Sequence, residues 1–119
     1  MDELSNERER QLFALQAQVC QVLADPSRLE VLHLLGEREH TVGEIVAATG
    51  LRQANASQHL ALLRQRGIVT TRRVGTTVYY ALADPEILEA CAITRRILLR
   101  QLAATSALVG GREGNRSID

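Results

Sequence analysis

The sequence predicts a mainly α-helical fold of about five helices, interrupted by one small β-hairpin. Three observations lead there. Apolar residues recur at three- and four-residue intervals along most of the 119 residues, as they do in helices that bury one face. Only 3% of the residues are aromatic, so the core is built from Leu, Val, Ile and Ala, which suit close packing between helices. One stretch alone, Ile68 to Ala81, turns to β-branched and aromatic residues around a glycine. With 45% apolar and 24% charged residues, one domain over 1–109 is expected, followed by a loose polar tail from Gly110 to Asp119.

A first helix is predicted from about Asn6 to Leu23, where Leu12, Leu15, Val19 and Leu23 share a face. Asp25-Pro26 then starts a second helix: Asp25 can cap the free N–H groups and Pro26 suits the first helical position, with Leu29, Leu32 and Leu35 following on one side. Thr41-Val42-Gly43-Glu44 matches a capping box and opens a short third helix through Ile45, Val46 and Ala48, stopped at Gly50. A fourth helix runs from Ala54 to Arg66, burying Ala56, Leu60 and Leu63, and ends at Gly67. The third and fourth helices, joined through Gly50-Leu51-Arg52, have the spacing of a helix-turn-helix. Ile68–Arg73 and Thr77–Ala81 flank Val74-Gly75-Thr76 as a hairpin, and a hairpin placed after a helix-turn-helix is a wing. Asp84-Pro85 repeats the helix-start chemistry for a last helix to about Leu108. Ile87, Leu88, Cys91, Ile97, Leu98, Leu99 and Leu102 cover so wide an arc of it that a homodimer, paired through the first and last helices, is expected.

The net charge is zero, yet the charges are segregated. No Asp or Glu occurs from Ile45 through Ala83, where Arg52, Arg64, Arg66, Arg72 and Arg73 give a local charge of +5. Such a window fits a phosphate-bearing partner, because neutralising phosphates supplies most non-specific affinity for DNA. Met1-Asp2-Glu3 begins no targeting segment, and no run nears the roughly 18 apolar residues of a membrane span, so a cytoplasmic protein with no membrane partner is expected. Cys20 and Cys91 form neither a CxxC pair nor a disulfide framework and are expected as thiols. An enzyme is not expected: there is no nucleophile motif and no phosphate-binding glycine loop, and His33, His40 and His59 fall on separate elements. A thiol-dependent enzyme is the weaker alternative.

Four segments follow one another in collinear order: Leu23-Ala24-Asp25-Pro26-Ser27-Arg28-Leu29, Ser57-Gln58-His59-Leu60-Ala61-Leu62-Leu63-Arg64, Gly67-Ile68-Val69, and Arg72-Arg73-Val74-Gly75-Thr76-Thr77-Val78-Tyr79-Tyr80. Over residues 10–105 the chain resembles the ArsR/SmtB family of winged helix-turn-helix repressors. The resemblance implies a homodimeric, sequence-specific transcriptional repressor that binds double-stranded DNA at an imperfect palindrome and is released by an inducer. On the fourth helix, about 100° per residue puts Ala54, Asn55, Gln58 and Ala61 opposite Leu60 and Leu63, with Gln53 and Ser57 on the flanks. Short polar side chains there can reach base edges in the major groove, against the plainer reading of a solvated face. His59 lies nearer the buried side, where packing or helix orientation competes with base reading. Arg72 and Arg73 are expected at phosphates or the minor groove, and Arg52, standing where the family frequently has a Ser cap, trades a cap for a phosphate contact.

The family's metal sites do not carry over. Asp84 and Glu86 match the start of the last-helix site, but Ile97 and Arg100 replace its later ligands, and Glu39-His40-Thr41-Val42-Gly43-Glu44 lacks the Cys-x-Cys of the thiolate site. No metal and no cofactor are therefore expected. Sensing then rests on Cys20 and Cys91, on two helices that pack together in the family: such thiols can bind arsenite or antimonite, or react with polysulfide or an oxidant. Inert cysteines in a constitutive or partner-controlled regulator are the competing reading.

Overall fold

In the computed structural model, which describes residues 3–108, five helices and one hairpin follow in the order α1 Glu3–Val22, α2 Pro26–Glu37, α3 Val42–Thr49, α4 Gln53–Gln65, β1 Val69–Val74, β2 Thr77–Leu82 and α5 Ile87–Leu108. The expected tail, 110–119, lies outside the described residues. The chain divides into two compact units, one ending at Pro85 and carrying α1 to β2, the other beginning at Glu86 and carrying α5.

The core of the first unit is aliphatic. Val31, Leu32, Ile45, Ala56, Leu60 and Leu63 are fully buried, joined by Val22, Leu35, Ile68 and Val69. Leu29, expected beside Leu32 and Leu35, is instead 41% exposed, and Val31 takes its place. The reason is helical drift. Val31, Leu35 and Leu32 span about 100° of arc, and Leu29 falls about 60° beyond its Leu32 edge.

Local chemistry sets the helix ends. Asp25 Oδ2 accepts from the Arg28 N–H at 3.0 Å with Pro26 opening α2. The capping box of α3 is complete: Glu44 N–H donates to Thr41 Oγ1 at 3.1 Å and Thr41 N–H to Glu44 Oε1 at 2.9 Å. Gly67, at φ 77°, closes α4 in a Schellman motif, with Gly67 N–H on Arg64 O at 3.0 Å and Ile68 N–H on Leu63 O at 2.9 Å. Ile68, expected to begin the first strand, is therefore spent on the cap, and β1 starts at Val69. The hairpin turn is tighter than expected. Val74 pairs with Thr77, leaving only Gly75 and Thr76 between the strands. Gly75 alone of the two has positive φ, 62°, as a type II′ turn requires.

Two further departures matter. The last helix was expected from Asp84-Pro85, but Pro85 and Glu86 form a turn whose Glu86 carbonyl accepts the Glu89 N–H at 2.9 Å, and α5 starts at Ile87. The second is a bridge absent from the sequence reading. His40 N–H donates to Tyr80 O at 3.0 Å and Tyr80 N–H to His40 O at 2.8 Å, which pairs the α2–α3 connection with β2.

Candidate nucleic-acid interface

The inner side of α4 faces α3 and β1 and is filled by Ala56, Leu60 and Leu63. With those three fixed inward, the helical period turns Gln53, Ala54, Asn55, Ser57, Gln58 and Ala61 outward, and all six are exposed. This row of short polar side chains starts at the first turn of α4, where an unobstructed helix end can enter a groove. Arg52, also exposed, is the N-cap residue with extended backbone, φ −67° and ψ 146°, and its side chain makes no capping bond. The first N–H groups of α4 thus lack the side-chain acceptor that Thr41 supplies to α3.

His59 does not share that row. It is half-buried, and its Nε2 lies 4.0 Å from Asp25 Oδ2. Asp25 meanwhile caps α2, and the Arg28 guanidinium reaches back to donate to the Val22 carbonyl and, at 3.5 Å, the Gln21 carbonyl. The Asp-Pro-Ser-Arg segment therefore ties the C-terminal end of α1, the start of α2 and the side of α4 at one junction. The Arg28 backbone N–H, with the Arg28 guanidinium and the His59 ring nearby, holds the Asp25 carboxyl below the usual carboxylate range.

On the wing, the two-residue turn fixes the register that puts Arg72 opposite Tyr79 and Arg73 opposite Val78. The Arg72 guanidinium lies over the Tyr79 ring, 4.8 Å from its centre, and its Nε donates to both carboxylate oxygens of Glu39 at 3.0 Å while Nη2 bonds Glu39 Oε1. That hydrogen-bonded pair holds the Glu39 carboxyl below its ordinary range. The arginine window is free of acids in sequence but not in space. Arg73 is exposed and, among the described residues, has no ion pair.

Tyr79 and Arg28 stand in the motifs of the sequence, but their partners, and the pairing of Glu39 with Arg72, do not show there. The Arg72–Tyr79 pair follows from register once the turn is known to have two residues. Glu39 is 33 positions from Arg72, and only the His40–Tyr80 bridge brings them together.

Cys20 on α1 is exposed, Cys91 on α5 is half-buried, and neither is in a disulfide. Burial pushes the Cys91 thiol above its ordinary range, which lowers its reactivity. Among the described residues no group of three or more His, Cys, Asp or Glu side chains could hold a metal ion, and no helix is long and apolar enough to cross a membrane.

Comparison with known proteins matches residues 25–71 to the family described as bacterial regulatory protein, arsR family. The uncharacterized HTH-type transcriptional regulator Rv0081 of Mycobacterium tuberculosis is 39% identical over 99 residues, covering 82% of this chain and 87% of the relative. Its crystal structure superposes with a TM-score of 0.72 at 40% identity, over 79% of this chain and 95% of that one. The homodimeric winged helix-turn-helix DNA-binding domain of Mb0332 from Mycobacterium bovis, solved by NMR, gives 0.69 at 34% identity, over 76% of this chain and 84% of that domain. A transcriptional repressor SmtB homolog of Synechocystis is 39% identical over 72 residues, 60% of this chain and 54% of that protein.

Proposed function

Since the chain belongs to the arsR family of bacterial regulatory proteins and has its winged helix-turn-helix fold, we propose that it is a sequence-specific DNA-binding transcriptional repressor acting as a homodimer in the cytoplasm. The observation that carries the proposal is the outward row on α4, Gln53, Ala54, Asn55, Ser57 and Gln58, set against a fully buried Ala56, Leu60 and Leu63. Asn and Gln suit adenine in the major groove, Ser suits several bases, and the small Ala54 admits the thymine methyl. Arg52 at the start of α4 and Arg73 on the wing then meet phosphates on either side. A two-fold dimer sets its two α4 helices about 34 Å apart, which calls for an imperfect palindrome.

The test is a comparison of affinity for a duplex selected by the wild-type protein from a random library with affinity for an unrelated duplex of equal length. Gln53→Ala with Gln58→Ala lowers the ratio of the two at least tenfold, each lost base contact counting for about 1–3 kcal/mol. An unchanged ratio removes α4 from base reading.

Inducer release is the finer part of the proposal. Arsenite, antimonite, polysulfide or an oxidant acting at Cys20 and Cys91 shifts the dimer towards a geometry that no longer spans the two half-sites. The partial burial of Cys91, which pushes its thiol up and makes it less reactive, favours the second reading, a regulator with inert cysteines. Operator affinity of wild type, Cys20→Ser and Cys91→Ser, each treated with arsenite, polysulfide or peroxide, separates the two. Release of the wild type alone supports thiol sensing; identical responses leave the cysteines as packing residues.

A further inference from the structure

We propose that Glu39 limits the phosphate contacts of the DNA interface: its carboxylate occupies the fork of Arg72 in place of a DNA phosphate and so leaves Arg73 as the phosphate contact of the wing. The inference rests on the DNA-binding reading and deepens it. A guanidinium edge donates to a carboxylate or a phosphate with the same bidentate geometry, so whichever anion fills that edge excludes the other from it. In this chain the Nε and Nη2 edge of Arg72 is already filled by Glu39, and one face of its plane lies over Tyr79.

Glu39 is held in place by its surroundings. The next residue, His40, is 4% exposed, exchanges backbone hydrogen bonds with Tyr80 in both directions, and donates from Nδ1 to the Arg38 carbonyl at 2.8 Å. The backbone beside Glu39 is therefore tied to β2, the strand paired with the one that carries Arg72. Phosphates are alike on every duplex, so withholding one arginine weakens binding to all sequences. The base-reading row on α4 contains none of these residues. The outcome is less affinity for arbitrary DNA and a larger share of the binding energy in base contacts.

The experiment measures binding across a salt series, to the selected duplex and to the unrelated one, for the full chain as wild type, Glu39→Gln, and Glu39→Gln with Arg72→Ala. Glu39→Gln is expected to tighten binding to the unrelated duplex several-fold at low salt and to steepen the log–log salt slope by about 0.9, one further phosphate. Adding Arg72→Ala returns both quantities to the wild-type values. Circular dichroism and urea midpoints establish that each variant is folded. An unchanged slope in Glu39→Gln overturns the proposal, as does a steepened slope that persists when Arg72 is also removed, since the gain then comes from the lost negative charge alone. If the wild type binds neither duplex in a salt-dependent way, the DNA-binding reading itself fails, an outcome distinct from a wild type that binds and a Glu39→Gln variant that matches it.

Discussion

Asp25 does two things with one carboxylate: it caps α2 through the Arg28 N–H and lies beside His59 on α4. Capping needs only an acceptor, which Asn supplies as well as Asp, whereas the attraction to His59 needs the charge. Asp25→Ala should therefore lower the urea midpoint clearly, and Asp25→Asn should keep most of it. Three carboxylates, Asp25, Glu39 and Glu44, are held below their ordinary range, Glu44 chiefly by the Thr41 N–H. The sign follows from linkage. A depressed folded-state pKa adds stability that is complete above the unfolded value, about 4, and is lost as pH falls through the lower folded value. Urea midpoints should hold between pH 7 and 5 and drop towards pH 2.5, and the drop should shrink in Glu44→Gln. For Cys91 the direction is opposite: alkylation followed by mass spectrometry should be slow at pH 7 and accelerate above the ordinary thiol range.

At the level of elements, α4 is fixed at its two ends by different means. Its N-terminus lacks a side-chain cap, while its C-terminus is closed by Gly67 at φ 77°. An L-residue at such a φ costs about 1–2 kcal/mol, although no neighbouring atom obstructs a Cβ there. Gly67→Ala should accordingly destabilise by about 1 kcal/mol in urea titrations through backbone strain alone. Thr41→Ala removes half of the α3 capping box and should cost a similar ~1 kcal/mol. The larger loss belongs to the inner face. Leu60→Ala, at a fully buried position, should cost about 2–5 kcal/mol and lower the Tm accordingly.

For the whole molecule, the exposed apolar side chains are informative. Leu4, Leu12, Phe13 and Leu15 on α1 are each about 60% exposed, and Ile93, Ile97, Leu98 and Leu99 on α5 are exposed by nearly half. So many large apolar groups on two helices fit the homodimer proposed above, because a chain of 119 residues has little other area to bury. Replacing Leu12 and Leu15 with Glu should shift sedimentation from dimer to monomer. Affinity for a palindromic duplex should fall with it, while a single half-site loses far less. A double variant that stays dimeric removes this face of α1 from the interface.

What the sequence by itself determined is whatever local chemistry decides. Asp25-Pro26, Thr41 with Glu44, Gly50 and Gly67 mark helix ends through bonds to residues a few positions away, and each falls where the pattern puts it. The inward trio of α4 and its outward polar row follow from the helical period alone. Leu29 was misplaced because three leucines at three-residue spacing drift around the helix, and only the packed core shows which end of the arc is covered. The partners of Arg72 and the junction of Asp25, Arg28 and His59 were decided by tertiary structure. Each joins residues that only the folding of separate elements brings within a few ångströms. The same holds for the charge of the wing, where an acid 33 residues away fills an arginine that the sequence leaves open.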